Sequence, residues 1–164
     1  MTAELALDDR LVEVIVEDDR WAERDLSDLT EQVAASVLRE LGHAPSDFEV
    51  SLLACDDARI SALNAEFRGV KKPTNVLAWP SGNLEARDAG EERVFLGDIA
   101  MAFETCAAEA EAAQLALVDH TAHLFAHGML HLLGFDHQET EDAEEMERFE
   151  IKVLATLGVK NPYS

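Results

Sequence analysis

The hydrophobic rhythm of the chain changes several times, and each change marks an element. "LVEVIVE" (Leu11 to Glu17) alternates apolar and acidic residues, the period of two expected of a half-buried strand. A helical pattern follows, with Ser27 as its expected cap, an end near Leu41 and a stop at Gly42. "FEVSLLA" (Phe48 to Ala54) reads as a second strand, after which Asp56 or Asp57 caps a helix running through Leu63 to about Phe67. "VLAWP" (Val76 to Pro80) is a short strand ended by proline, and "VFLGDIAMA" (Val94 to Ala102) is another. The polar "SGNLEARDAGEER" (Ser81 to Arg93) connects them and is the easiest place for length variation. From Phe103 the pattern is helical throughout: an Ala- and Glu-rich helix, an apolar helix from about Leu117 to Leu133, and a last helix near Thr140 to Leu157. The acids opening that last helix, in "ETEDAEEMERFE", suit the helix dipole and read as a solvated face. Strands and helices in this order predict one α+β domain with a sheet of about four strands.

Composition adds limits. The 164 residues suit one domain with a real core, and 48% apolar content favours folding over disorder. The acidic start "MTAELALDDR" lacks a positive region followed by an apolar one, so no signal peptide is expected. No stretch of about eighteen apolar residues predicts a membrane span. Cys55 and Cys106 stand alone without CxxC spacing and read as buried, reduced thiols of a cytoplasmic protein. A formal charge of −21 argues against a general nucleic-acid binder, because phosphate contacts need cations. Two segments escape the acidity: residues 67–84, carrying Arg68, Lys71 and Lys72, and residues 120–135, holding histidines.

The second segment runs into "HGMLHLLGFDH", residues 127–137. His127 and His131 are four apart, so they share a helix face with Cβ atoms about 5–6 Å apart and can converge on one ion. His137 would lie about 9 Å further along a continuing helix, out of reach. The helix must therefore break, and Gly134 is the residue that accepts the left-handed conformation ending helices. Three histidines on a helix and its following turn predict one zinc ion with an open fourth position, the arrangement of catalytic sites. His123 shares roughly that face and could contact substrate, orient a ligand or simply pack. His120 reads as a partly exposed histidine. Asp136 could hydrogen-bond a ligand imidazole or stabilise the turn.

The spacing HxxxHxxGxxH is close to that of metzincin proteases, where the residue after the first histidine is a glutamate base. Here it is Gly128, which removes that base and is expected to leave open space beside the metal. Asp98 stays open as a replacement. A metal site without a carboxylate base, facing a polyanion, needs a cation for developing charge. Arg68 suits that role, because its planar fork binds two phosphate oxygens.

"HGMLHLLGFDH" together with "FRGVKKPTNVLAWP" and "LGDIAM" resembles the YbeY endoribonucleases, from about Asn64 to the C-terminal helix. The resemblance implies a small mixed sheet flanked by helices, and one zinc held by His127, His131 and His137. It implies that Arg68 is the family's functional arginine. It implies single-strand-specific RNA cleavage, chiefly at the 3′ end of small-subunit rRNA, and a part in ribosome quality control. RNA of the small ribosomal subunit is then the partner, with ribosome-associated proteins possible carriers, and Lys71, Lys72 and His123 are the expected substrate contacts. The family's usual "PTDVLSFP" reads "PTNVLAWP" here, so Asn75 stands for an aspartate, Ala78 for a serine and Trp79 for a phenylalanine. Two other readings compete: a zinc hydrolase of peptides or small esters, and a ribosome-assembly factor whose zinc only braces the fold.

Overall fold

The computed structural model describes residues 10–82, 93–135 and 140–163. Four strands form one sheet: β1 (Val12–Val16), β2 (Phe48–Cys55), β3 (Val76–Pro80) and β4 (Val94–Ala102), in the order β1-β2-β4-β3. β1, β2 and β4 are parallel, and β3 runs antiparallel along the outer edge of β4. The sheet is therefore mixed, in a single α+β domain. Five helices accompany it among the described residues: α1 (Glu23–Glu40), α2 (Asp57–Arg68), α3 (Phe103–Ala112), α4 (Leu117–Leu132) and α5 (Thr140–Thr156).

Alternation along each strand divides the apolar side chains between two faces. On one face Leu52, Ile99 and Met101 join the main core with α1, α4 and α5. On the other, Leu77, Ala100 and Ala102 pack with Ile60 of α2 in a smaller cluster. α4 is the central helix, with Phe125, Met129 and Leu130 fully buried. α4 is thus mostly core, and His123, His127 and His131 lie along a flank that reaches a cleft.

α1 starts four residues before its expected cap, Ser27. Glu23 and Asp25 support its first turn through the dipole, and the buried stripe begins already at Leu26. Asp56 does cap α2, its carboxylate accepting the Arg59 amide at 2.8 Å. In β4, Leu96 and Gly97 together oppose the single residue Val50, which makes a bulge. Gly97 has φ +143°, and a Cβ there would fall within 2.2 Å of the Trp79 carbonyl oxygen. The kink lets β3 lie close enough to pair. Cys55 and Cys106 are free and buried, and burial pushes both thiols up to about 12. No helix among the described residues is long and apolar enough to cross a membrane. The expected polar connection Ser81 to Arg93 lies largely outside the described residues.

Candidate metal centre and substrate cleft

α4 ends as the glycine predicts. Gly134 has φ +98°, its amide donates to the His131 carbonyl at 3.1 Å, and the Phe135 amide donates to the Leu130 carbonyl at 3.0 Å. These two bonds complete a Schellman turn, which satisfies the last carbonyls of the helix. The turn also serves the site, because the Phe135 carbonyl oxygen returns to lie 3.1 Å from Nδ1 of His131.

His127 and His131 meet with ring centroids 4.6 Å apart and planes at 83°. Each uses Nδ1 on an acceptor: His127 on a Glu150 carboxylate oxygen at 3.1 Å, His131 on the Phe135 carbonyl. A carboxylate and a carbonyl can only accept, so each neutral ring carries its proton on Nδ1. The two Nε2 atoms then face each other at 3.0 Å with their lone pairs. Opposed lone pairs at that distance call for a cation or a proton shared by both. They are near enough to reach one zinc ion through bonds of about 2.0–2.1 Å. The donor set and its tautomers therefore fit the metal that the spacing predicts. Asp136 and His137 lie outside the described residues.

Behind the pair stands a residue that sequence reasoning assigned to a solvated acidic face. Glu150 of α5 is fully buried and receives three groups: Nε2 of His123 at 2.7 Å, Nδ1 of His127 at 3.1 Å and the Tyr163 hydroxyl at 2.9 Å. Burial by itself raises its carboxyl, but the hydrogen bonds from His123 and His127 outweigh burial and hold it at about 2. Burial, and then the Glu150 charge, push the Tyr163 phenol up. A signal for Glu150 exists in the sequence. It lies four residues after Met146 and four before Leu154, within the buried stripe of α5. Tyr163 carries no comparable signal.

The cleft in front of the histidines has a volume of about 710 Å³. One wall is α4, with His123, His127, Gly128 and His131. The other is the end of α2 and the whole of β3, from Phe67 and Arg68 through Asn75 to Pro80, and Tyr163 closes one side. Arg68, the last residue of α2, thus shares the cleft with the histidine pair, although it lies 59 positions earlier than His127 in the chain. Lys71 and Lys72 are exposed on the following loop, outside the cleft walls. That loop is tied to α2 by Asn64, whose amide donates to the Lys72 carbonyl at 3.0 Å. His123 lines the cleft, with its Nε2 held by Glu150 and 3.1 Å from Tyr163. His120 is mostly buried and bound to Glu109 at 2.9 Å.

Two expectations change. Gly128 does not open space beside the metal: a Cβ there would meet Ile99 Cδ1 at 3.1 Å, so the glycine lets α4 settle against β4. A glutamate at this position would point into the sheet. Asp98 is no substitute base, because its neighbour Ile99 faces α4 and successive strand residues face opposite ways. Asn75 has a clear local role. Its Oδ1 accepts the Val76 amide at 2.6 Å, and its Nδ2 donates to Glu109 at 3.0 Å. The first bond is open to an aspartate as well; the second needs the amide.

A family model described as Endoribonuclease YbeY matches residues 13–158. The Endoribonuclease YbeY of Paracoccus denitrificans (strain Pd 1222) is 49% identical over 160 residues, covering 93% of this chain and 89% of that protein. The protein of the same description from Jannaschia sp. (strain CCS1) is 45% identical over 158 residues, covering 93% of this chain and 99% of its own. The solution structure of a Thermotoga maritima protein has a TM-score of 0.57 and 24% identity, covering 90% of this chain and 91% of that one, a likeness of fold.

Proposed function

This chain belongs to the YbeY endoribonuclease family, and from that premise we propose that it is a zinc-dependent endoribonuclease acting on single-stranded RNA. Its substrate is the precursor of small-subunit rRNA, cut in forming the 3′ end, and it also serves ribosome quality control in the cytoplasm. The observation that carries the chemistry is the pair of Nε2 atoms set face to face at 3.0 Å, with both Nδ1 atoms committed elsewhere.

His127 and His131 would hold the zinc, with His137 as third ligand. When bound, zinc supplies Lewis acidity toward a phosphate oxygen or water. The chain's own residues do the rest. Glu150 fixes the ring orientation and tautomer of His127, and its negative charge raises the basicity of that imidazole. The Phe135 carbonyl does the same for His131 without a charge. Arg68 faces the histidines across the cleft and holds phosphate charge as it builds on the scissile group. Lys71 and Lys72, outside the walls, steer the RNA backbone toward an opening in an otherwise acidic surface. Gly128 denies the site a carboxylate base, which disfavours the peptidase reading. The nucleophile is either the RNA 2′-hydroxyl, with the 5′-oxygen leaving, or water, with the 3′- or 5′-oxygen leaving, and in each case the leaving oxygen takes up a proton.

The test is incubation of precursor small-subunit rRNA with wild type, Arg68→Ala and a chelated sample, with cleavage sites and ends mapped. Arg68→Ala should cut slower by about 10²–10³-fold, the loss typical of one electrostatic stabiliser, while retaining its metal. A 2′,3′-cyclic phosphate assigns attack to the ribose; a direct hydrolytic product, a 5′-phosphate beside a 3′-hydroxyl, assigns it to water. Equal cleavage by all three samples refutes the proposal.

A further inference from the structure

The cleft contains an aromatic surface that the metal chemistry does not use. Phe67 is 58% exposed on the last turn of α2, one residue before Arg68. Single exposed apolar side chains are ordinary. Phe67 differs in its company. It lines the same cleft as Arg68 and the histidine pair, and it rests edge-on against Trp79 of β3, with centroids 5.4 Å apart and planes at 64°. Trp79 is half-buried over the small cluster beneath α2, so it backs Phe67 without covering it. Val70 adds further exposed apolar surface beyond the helix end. The segment holding these residues, 67–84, has no carboxylate in a chain whose net charge is −21.

We propose that Phe67 and Trp79 form a stacking platform for one unpaired nucleobase of the RNA strand whose phosphate lies at Arg68. This rests on the reading of the chain as a single-strand nuclease and adds a base subsite to it. Every base presents a π-face, so such a platform tolerates many sequences. A base inside a duplex already has its faces covered, so the platform selects unpaired strands. Placing platform and cation on consecutive residues lets one nucleotide satisfy both. The stacking contact is insensitive to salt, and it supplies affinity that a strongly acidic protein cannot draw from phosphates alone.

The test uses a 2′-O-methyl adenylate hexamer and an abasic hexamer with the same backbone, each end-labelled for anisotropy at low salt. Trp79 is also an intrinsic reporter. The other tryptophan, Trp21, is 4% exposed with its indole bonded to the Cys55 carbonyl, and so gives a constant background. The adenylate should quench wild-type fluorescence and the abasic strand should not. Trp79→Phe should lose the quench and weaken adenylate binding by less than Phe67→Ala does, with the abasic strand unchanged. Phe67→Ala should weaken adenylate binding by about 5- to 150-fold, the range of one base–aromatic stack, and leave the abasic strand unchanged. Phe67→Tyr should restore binding. Equal losses for both strands in Phe67→Ala, or no loss for the adenylate, overturn the platform. If wild type cuts precursor rRNA while Phe67→Ala binds normally, the platform alone fails; if wild type neither binds nor cuts, the nuclease reading fails with it.

Discussion

Replacing Glu150 separates the site's architecture from its chemistry. In Glu150→Ala three donors lose their common acceptor. Hydrogen bonds to a charged group are worth about 1.5–3 kcal/mol each, which sets a ceiling of roughly 4.5–9 kcal/mol. The ceiling is not reached, because the His123 and His127 side chains are 16% and 27% exposed and water can replace part of what they lose. A cost of about 3–4 kcal/mol is expected, the lower part of the range of about 3–5 kcal/mol seen when one partner of a buried charged pair is removed. Glu150→Gln keeps the volume and one acceptor. Its carbonyl can still receive the His127 proton while its amide turns to His123 and Tyr163, so metal-free stability should fall far less. The charge behind His127 is lost, and the position that accepted from Tyr163 and His123 becomes a donor. Removing such a partner typically weakens metal binding by about 10–100-fold. The assay is zinc competition against a chromophoric chelator, run beside thermal unfolding of the metal-free protein. Zinc affinity in Glu150→Gln equal to wild type would show that the carboxylate does not tune the ligand, and the orientation argument would be wrong.

Three further outcomes follow from particular contacts. Gly128→Ala gains about 1 kcal/mol of helix propensity but forces a Cβ toward Ile99, which is 1% exposed and has little room to yield; overpacking of about 1–3 kcal/mol should win. Adding Ile99→Val, which trims the offending Cδ1, should then cost less in this background than in wild type, measured by denaturant unfolding of the double-mutant cycle. Asn75→Asp sets a second carboxylate 3.0 Å from that of Glu109, so it should lower the melting temperature at pH 7, and Glu109→Gln should restore it. Asp98 has its carboxyl raised by burial. A raised folded-state value means that stability is fullest below the ordinary carboxylate range and is lost as pH rises through it. Asp98→Asn should therefore melt higher than wild type at pH 7, with the gain vanishing near pH 3.

Much of this fold was legible because its punctuation is local. Pro80 closes β3 by lacking an amide to donate, Asp56 caps α2 with its carboxylate and Gly134 ends α4 by taking a positive φ, each a property of the residue type itself. α1 began before Ser27 because tertiary burial of Leu26 extended the helix past the residue best suited to cap it. The histidine pair was legible from its spacing of four. Its acceptors were not: Phe135 contributes only a backbone carbonyl, which any residue has, and Glu150 hides in a run of acids where charge masks periodicity. Arg68 could be picked out by charge, but its place in the cleft depends on β3 pairing with β4, a contact distant in sequence.

The contact between Gly128 and Ile99 has a consequence for ancestry. Helix and sheet here are seated so closely that any side chain at the position following the first histidine must push Ile99 aside. A lineage with this seating could not acquire a proteolytic glutamate by a single codon change. It would first have to hollow out the strand or lift the helix away, and lifting the helix would disturb the imidazoles. The division between this enzyme type and zinc peptidases with a similar histidine spacing is thus built into the seating of helix on sheet, and a change at that one position alone does not cross it.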